Sequence, residues 1–244
     1  MPTTTYSKEE YEVVSQDMRS LQLMFSMLGN CLRDKLITRG KFPKKEYDYI
    51  PIEIEMLLPQ LRFVRDYIEK ERDNKKQYGY KRSWDKFLDV GSGPGLVGLA
   101  AKSTGFDFTA GVEYNPDVAG FLSRTGKLEK DQYRKGDKWI DVEYYDSLRN
   151  NIYCCNAFDF EHYDEYGVIY YYCPLQDKTE QRKLEKLIED RCVKDTIIIA
   201  NLKQDSSMRH DDRFEIMKGE REGCQNLIYR KVRGRARKGK AKAE

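Results

Sequence analysis

The segment Phe87-Leu88-Asp89-Val90-Gly91-Ser92-Gly93-Pro94-Gly95-Leu96-Val97-Gly98 constrains this chain more than any other. An apolar run reads as a buried strand over Lys86–Val90, and Leu96–Lys102 reads as the start of a helix. Glycines at alternate positions join the two. Such a turn leaves no Cβ in the path of a ligand. The unsatisfied N–H groups of the first helical turn point the same way. The fold must therefore place a backbone-lined ligand site at the end of a strand.

The rest of the chain supplies the frame. From residue 84, short apolar runs alternate with helical segments. Phe108–Glu113, Asn151–Cys155, Gly167–Tyr172 and Thr196–Leu202 read as strands. A helix starts near Pro116, and Thr179–Arg191 is amphipathic. Phe214–Met217 and Asn226–Val232 suit a closing hairpin. Strand–helix alternation predicts an α/β fold with a mostly parallel sheet and helices on both faces.

Upstream the pattern is helical. Ser7 and Glu10 match a capping box. Val14, Met18, Leu21, Phe25, Leu28 and Leu32 recur at spacings of three and four, which predicts a helix over 7–37. Pro51 suits the first turn of a second helix, with the stripe Ile54, Leu57, Leu58, Leu61, Val64 and Ile68. Three parts result: a helical N-terminal extension over 1–80, a domain over 81–232, and a basic tail over 233–244 expected to be disordered.

Three ligands compete for the glycine turn. A phosphate loop of the Walker type needs a Lys after the last Gly, and Leu96 or Leu99 stands there. A dinucleotide fingerprint is matched by Gly93, Gly95 and Gly98. The third pattern is Asp89 followed by Gly91, Gly93 and Gly95. This one resembles motif I of the class I S-adenosylmethionine-dependent methyltransferases. The resemblance continues in order with Glu113 at the end of the second strand and Asn156-Ala157-Phe158-Asp159 after the third. It spans residues 84–202, about half the chain.

The resemblance implies a seven-stranded, mostly parallel Rossmann-like sheet and S-adenosylmethionine as cofactor. It implies that Asp89, Val90, Gly91, Ser92, Gly93 and Gly95 wrap the amino-acid end of the cofactor. Glu113 would take the two ribose hydroxyls, since a carboxylate accepts two hydrogen bonds at once. Asn156 would read the adenine edge, with Tyr114 and Ala157 completing the set. An acid two places before the first Gly also suits an ammonium and a sulfonium better than a pyrophosphate.

The fourth strand ends in Tyr172-Cys173-Pro174-Leu175. Methyltransferases acting on bases or on glutamine often carry Asn/Asp-Pro-Pro-Tyr/Phe here. Only the second Pro is retained, which points away from base N-methylation. Methyl transfer to a good nucleophile needs alignment more than acid–base chemistry. Tyr172 and Pro174 are thus the expected catalytic positions, Tyr172 facing the acceptor and Pro174 shaping the turn. The alternative is that Tyr170–Tyr172 alternate between two packed faces. Tyr47-Asp48-Tyr49-Ile50-Pro51 looks like a segment that folds over the cofactor in this class, which would make the extension a lid. Asn201–Met208 is expected as a polar loop lining the acceptor pocket. His210-Asp211-Asp212 reads as solvated loop, and no metal site is expected.

Charge and cysteine usage bound the partners. Residues 230–244 hold eight Lys/Arg and one Glu, a net +7, which leaves about −4 for residues 1–229 of the overall +3. The body is mildly acidic, so nucleic acid or an acidic partner would meet the tail alone. The six Cys lack CxxC spacing, which favours a reducing, cytoplasmic setting. No apolar run reaches membrane-spanning length, and the first residues lack a leader's basic and apolar regions. The expected function is methyl transfer to an unidentified acceptor, a protein side chain ahead of RNA or a small molecule. The alternatives are a nicotinamide-dependent oxidoreductase and a non-catalytic RNA- or protein-binding module of the same fold.

Overall fold

In a computed structural model the described residues are 54–74, 82–135, 137–147, 150–175, 177–201, 206–218 and 226–234, with Ser20, Leu23 and 26–31. The first half contains α1 (Ile54–Asn74), β1 (Lys86–Val90), α2 (Leu96–Ser103), β2 (Phe108–Glu113) and α3 (Pro116–Ala119). Next come β3 (Glu129–Lys135), β4 (Lys138–Ser147), β5 (Asn150–Cys154) and β6 (Val168–Tyr172). The chain continues through α4 (Lys178–Arg191), β7 (Ile197–Asn201), β8 (Phe214–Lys218) and β9 (Asn226–Lys231).

These strands form one sheet in the order β3-β4-β5-β2-β1-β6-β7-β9-β8. The central five, β5, β2, β1, β6 and β7, are mutually parallel. The outer strands on both sides pair antiparallel. The expected seven-stranded, mostly parallel sheet is therefore corrected. Among the described residues the sheet has nine strands and is parallel only in its middle. The predicted closing hairpin is present as β8 and β9. The addition is the β3–β4 ribbon, whose register runs from Glu129↔Tyr144 to Lys135↔Lys138. One of its faces is polar, with Gln132 donating to Asp141 and Lys130 paired with Glu143.

Alternation along the strands splits the core in two. Leu88, Val90, Ile169, Tyr171, Ile198 and Ala200 face α4, where they meet Leu184 and Ile188. Phe87, Val168, Tyr170, Ile197 and Ile199 face α1 and α2. The predicted stripe of α1, Ile54 to Ile68, is buried to 2% exposure or less throughout. Each such side chain contributes about 1.5–3 kcal/mol on burial. Packing, more than helix propensity, holds α1 on the sheet.

Of the predicted helix over 7–37, only Ser20, Leu23 and 26–31 are described, and these are helical. Tyr47–Pro51, 202–205 and 235–244 lie outside the described residues. Among the described residues no helix is long and apolar enough to cross a membrane. The parallel strands bring Val90, Glu113, Cys154, Tyr172 and Asn201 to one sheet edge. Open α/β sheets bind ligands at that edge.

Candidate functional site

The glycine turn is anchored to its neighbour strand before any side chain is considered. The N–H groups of Gly91 and Ser92 both donate to the Val112 carbonyl, at 2.9 and 3.0 Å. Gly91 and Gly95 have φ of 78° and 91°, in the region that favours glycine. Space is as restrictive as backbone angle. A Cβ on Gly91 would lie 2.6 Å from Pro174 Cβ, and one on Gly98 2.2 Å from Asn150 Nδ2. Asn150 also donates to the Gly95 carbonyl at 3.3 Å, so it buttresses the turn from β5. Gly98 is accounted for by this contact with Asn150. The sequence marks Asn150 only as a polar residue just before the predicted strand at Asn151.

Two carboxylates meet at the turn. Glu113 Oε2 accepts the Gly93 N–H at 3.0 Å, and Oε1 accepts the Asn115 N–H at 2.9 Å. Asp89 is 2% exposed, and its Oδ2 has no hydrogen-bond partner among the described residues. Burial, and then the nearby charge of Glu113, pushes the Asp89 carboxyl well above the usual range. A buried acid to which no described residue donates, beside a second acid, is a place suited to a cation or a hydrogen-bond donor.

The other expected cofactor residues fall around this pair. Ser92 is buried, and its side chain lies against Gly111, where a Cβ would sit 2.3 Å from Oγ. The Val90 side chain is in the core under α4, so only its backbone faces the turn. Tyr114 is 64% exposed. Asn156 is exposed just past β5, and its Oδ1 accepts the Phe158 N–H at 3.0 Å. Ala157 is half-buried, and its carbonyl accepts the Tyr163 hydroxyl at 2.8 Å. Glu113 and this segment are tied by Cys155 N–H donating to the Glu113 carbonyl at 3.2 Å.

At the end of β6, Tyr170 and Tyr172 face α1 and Tyr171 faces α4, so the tyrosine run alternates between packed faces. Tyr172 is half-buried. Cys173 takes the left-handed φ of 41°, and its N–H donates to the Asn201 carbonyl at 3.0 Å. This turn lays Pro174 against Gly91. Asn201 does not line a pocket as expected. It is fully buried, because its amide pairs with Gln60 of α1 and donates to the Tyr170 hydroxyl. Sequence reasoning missed Gln60. Its one signal is a polar side chain inside the apolar stripe of a helix.

In the His210-Asp211-Asp212 segment, His210 and Asp212 are exposed as expected, and only Asp211 departs from a solvated loop. Asp211 pairs with Arg213 at 2.5 Å and with Lys186 at 3.6 Å. Hydrogen bonding from Arg213 brings its carboxyl down to about 2. His210 itself is exposed. Among the described residues no group of three His, Cys, Asp or Glu is placed to hold a metal.

No family model and no curated protein matches the chain. Solved structures of similar shape do. Thermoplasma acidophilum protein 1320 is 14% identical, covering 86% of this chain and 98% of its own, with a TM-score of 0.42. An RNA methyltransferase from Salinibacter ruber, solved with S-adenosyl-L-homocysteine, is 15% identical over 68% of this chain and 89% of its own, with a TM-score of 0.39. CalS10, an amino pentose methyltransferase from Micromonospora echinaspora solved with S-adenosylmethionine, is 13% identical, covering 71% and 67%, with a TM-score of 0.37.

Proposed function

We propose that the chain is an S-adenosylmethionine-dependent methyltransferase. The observation that carries this reading is the unpartnered Oδ2 of buried Asp89 at the glycine turn, with Glu113 beside it. A ligand bringing positive charge and hydroxyl donors fits that pair. A pyrophosphate would meet two carboxylates there, which speaks against the nicotinamide alternative.

The residues suit the cofactor part by part. Asp89 and the backbone of Gly91, Ser92 and Gly93 would hold its amino-acid end. Glu113 would exchange the Gly93 N–H for ribose hydroxyls. Asn156, Ala157 and Tyr114 would line the adenine side. The cofactor supplies a methyl group on a positive sulfonium, already activated for transfer. The chain then has to exclude water and align the acceptor. Tyr172, half-buried at the strand end, would orient the acceptor, and Pro174 would keep the turn in place.

The acceptor is read as a protein side chain, ahead of RNA or a small molecule. What supports this is the strand end Tyr172-Cys173-Pro174-Leu175, which lacks an amide or acid to accept hydrogen bonds from a base amine. The division at residue 80, with 1–80 as a flanking lid, belongs to the same reading. So does a cytoplasmic setting, supported by the free thiols of Cys31, Cys154, Cys155, Cys173 and Cys192. The basic tail is read as a tether for an acidic partner or nucleic acid. The test of the acceptor class is incubation with radiolabelled S-adenosylmethionine and cell extract. Label in protein that survives nuclease supports the reading, and label in nucleic acid contradicts it.

A further inference from the structure

We infer that Gln60 and Asn201 are positioning residues that couple α1 to the cofactor turn. This rests on the cofactor reading above and goes beyond it, because neither residue touches the turn.

The chain of contacts is continuous. Gln60 Nε2 donates to Asn201 Oδ1 at 2.8 Å, and Asn201 Nδ2 donates back to Gln60 Oε1 at 3.0 Å. Asn201 Nδ2 also donates to the Tyr170 hydroxyl at 3.2 Å. Both amides are buried, at 8% and 0% exposure. A reciprocal amide pair fixes both side chains in a way that the surrounding Leu57, Leu61 and Val64 cannot, since apolar contacts have no direction.

The same Asn201 holds the next link through its backbone. Its carbonyl accepts the Cys173 N–H at 3.0 Å. Cys173 has φ of 41°, a conformation that persists only where the surroundings impose it. The next residue, Pro174, rests on Gly91 so closely that an added Cβ would lie 2.6 Å away. Gly91 donates to the Val112 carbonyl, and two residues on the Gly93 N–H is held by Glu113. A displacement of Gln60 therefore reaches the acid that takes the ribose. Helix α1 sets the register between the end of β6, where the acceptor side lies, and the cofactor turn.

The experiment is a calorimetric titration with S-adenosylhomocysteine, paired with thermal melts. The proteins are the wild type, Gln60→Met, Asn201→Ala, the swapped pair Gln60→Asn with Asn201→Gln, and Val64→Ala. Gln60→Met keeps the length of the side chain and removes its hydrogen bonds. Val64 is a fully buried residue of the same helix outside the contact chain. Each amide variant is expected to weaken binding about fivefold to twentyfold. The swap conserves the combined length and both hydrogen bonds, and is expected to restore affinity to within about threefold of wild type. Val64→Ala is expected to lower Tm and leave affinity unchanged. If the amide variants lower Tm but bind like a wild type that binds, the inference is overturned alone. It is overturned too if Val64→Ala weakens binding as much as they do. A folded wild type that does not bind overturns the cofactor reading and this inference with it.

Discussion

Glu113 reaches from the end of β2 to the Gly93 N–H, 3.0 Å away, while its second oxygen takes the Asn115 N–H. One carboxylate thus holds both the glycine turn and the start of α3 in place. Glu113→Gln keeps the shape but leaves one acceptor oxygen for two N–H groups. A hydrogen bond to a charged group contributes about 1.5–3 kcal/mol. The variant is expected to lose stability at the low end of that range in urea unfolding. Its affinity for S-adenosylhomocysteine is expected to fall about tenfold or more, since that loss in binding is about 1.4 kcal/mol.

Asp89 is expected to behave in the opposite sense. Its carboxyl is raised in the folded protein by burial and by Glu113, so the folded state holds its proton to higher pH than the unfolded chain. Its contribution to stability therefore falls as pH rises from the ordinary carboxylate value towards the raised one. Asp89→Asn removes this pH dependence. Denaturant unfolding at stepped pH should show a flatter profile for the variant. Above the pH where Asp89 ionises, it should gain about 1–3 kcal/mol. Binding of S-adenosylhomocysteine should weaken at the same time. A variant less stable at every pH would contradict the assignment of an unpartnered acid.

A third prediction concerns Arg213, which is 12% exposed and pairs with Asp211, Asp190 and Glu189. Glu189 is only 1% exposed, and without Arg213 it keeps Lys186 at 3.0 Å and the Ser207 hydroxyl. Arg213→Ala removes charged hydrogen bonds to three carboxylates that Lys186 covers only in part, and is expected to cost about 1.5–3 kcal/mol in denaturant unfolding. Asp211 is brought down to about 2, so its stabilisation is present above the unfolded carboxylate value and lost as pH falls towards 2. Asp211→Asn should therefore remove part of the acid sensitivity between about pH 4 and pH 2.

At Gly91 backbone angle and space act together. Its φ is 78°, and Pro174 occupies the room a side chain would need. Gly91→Ala is expected to destabilise the protein by about 1–3 kcal/mol and to weaken cofactor binding by moving the turn. Unchanged urea unfolding would show that Pro174 gives way.

The sequence reading and the fold part company where burial stops being one-sided. Strands β1 and β2 were legible to the residue, because an apolar run between turn signals has few other uses. The α1 stripe was legible for the same reason. The β3–β4 ribbon was not, since Glu129, Asp131, Lys135 and Lys138 put charge on the same face as Tyr133, Ile140, Val142 and Tyr144, where a strand pattern expects apolar residues. Its one local signal is Gly136-Asp137, a two-residue hairpin pair between the runs. At the site, glycines and acids were readable because backbone approach and charge each demand a residue type. Asn150, Gln60 and Asn201 were not, because a buried amide is defined by its partner, 141 residues away for Gln60 and Asn201.

The most direct test of the central claim is a calorimetric titration of the folded protein with S-adenosylhomocysteine, alongside Gly93→Arg and an NADH control. An Arg at position 93 fills the turn whose N–H Glu113 now holds. Micromolar binding by the wild type, lost in Gly93→Arg, with no heat from NADH, is the predicted result. A folded wild type that binds NADH, or that binds neither compound, would contradict the assignment of this turn to S-adenosylmethionine.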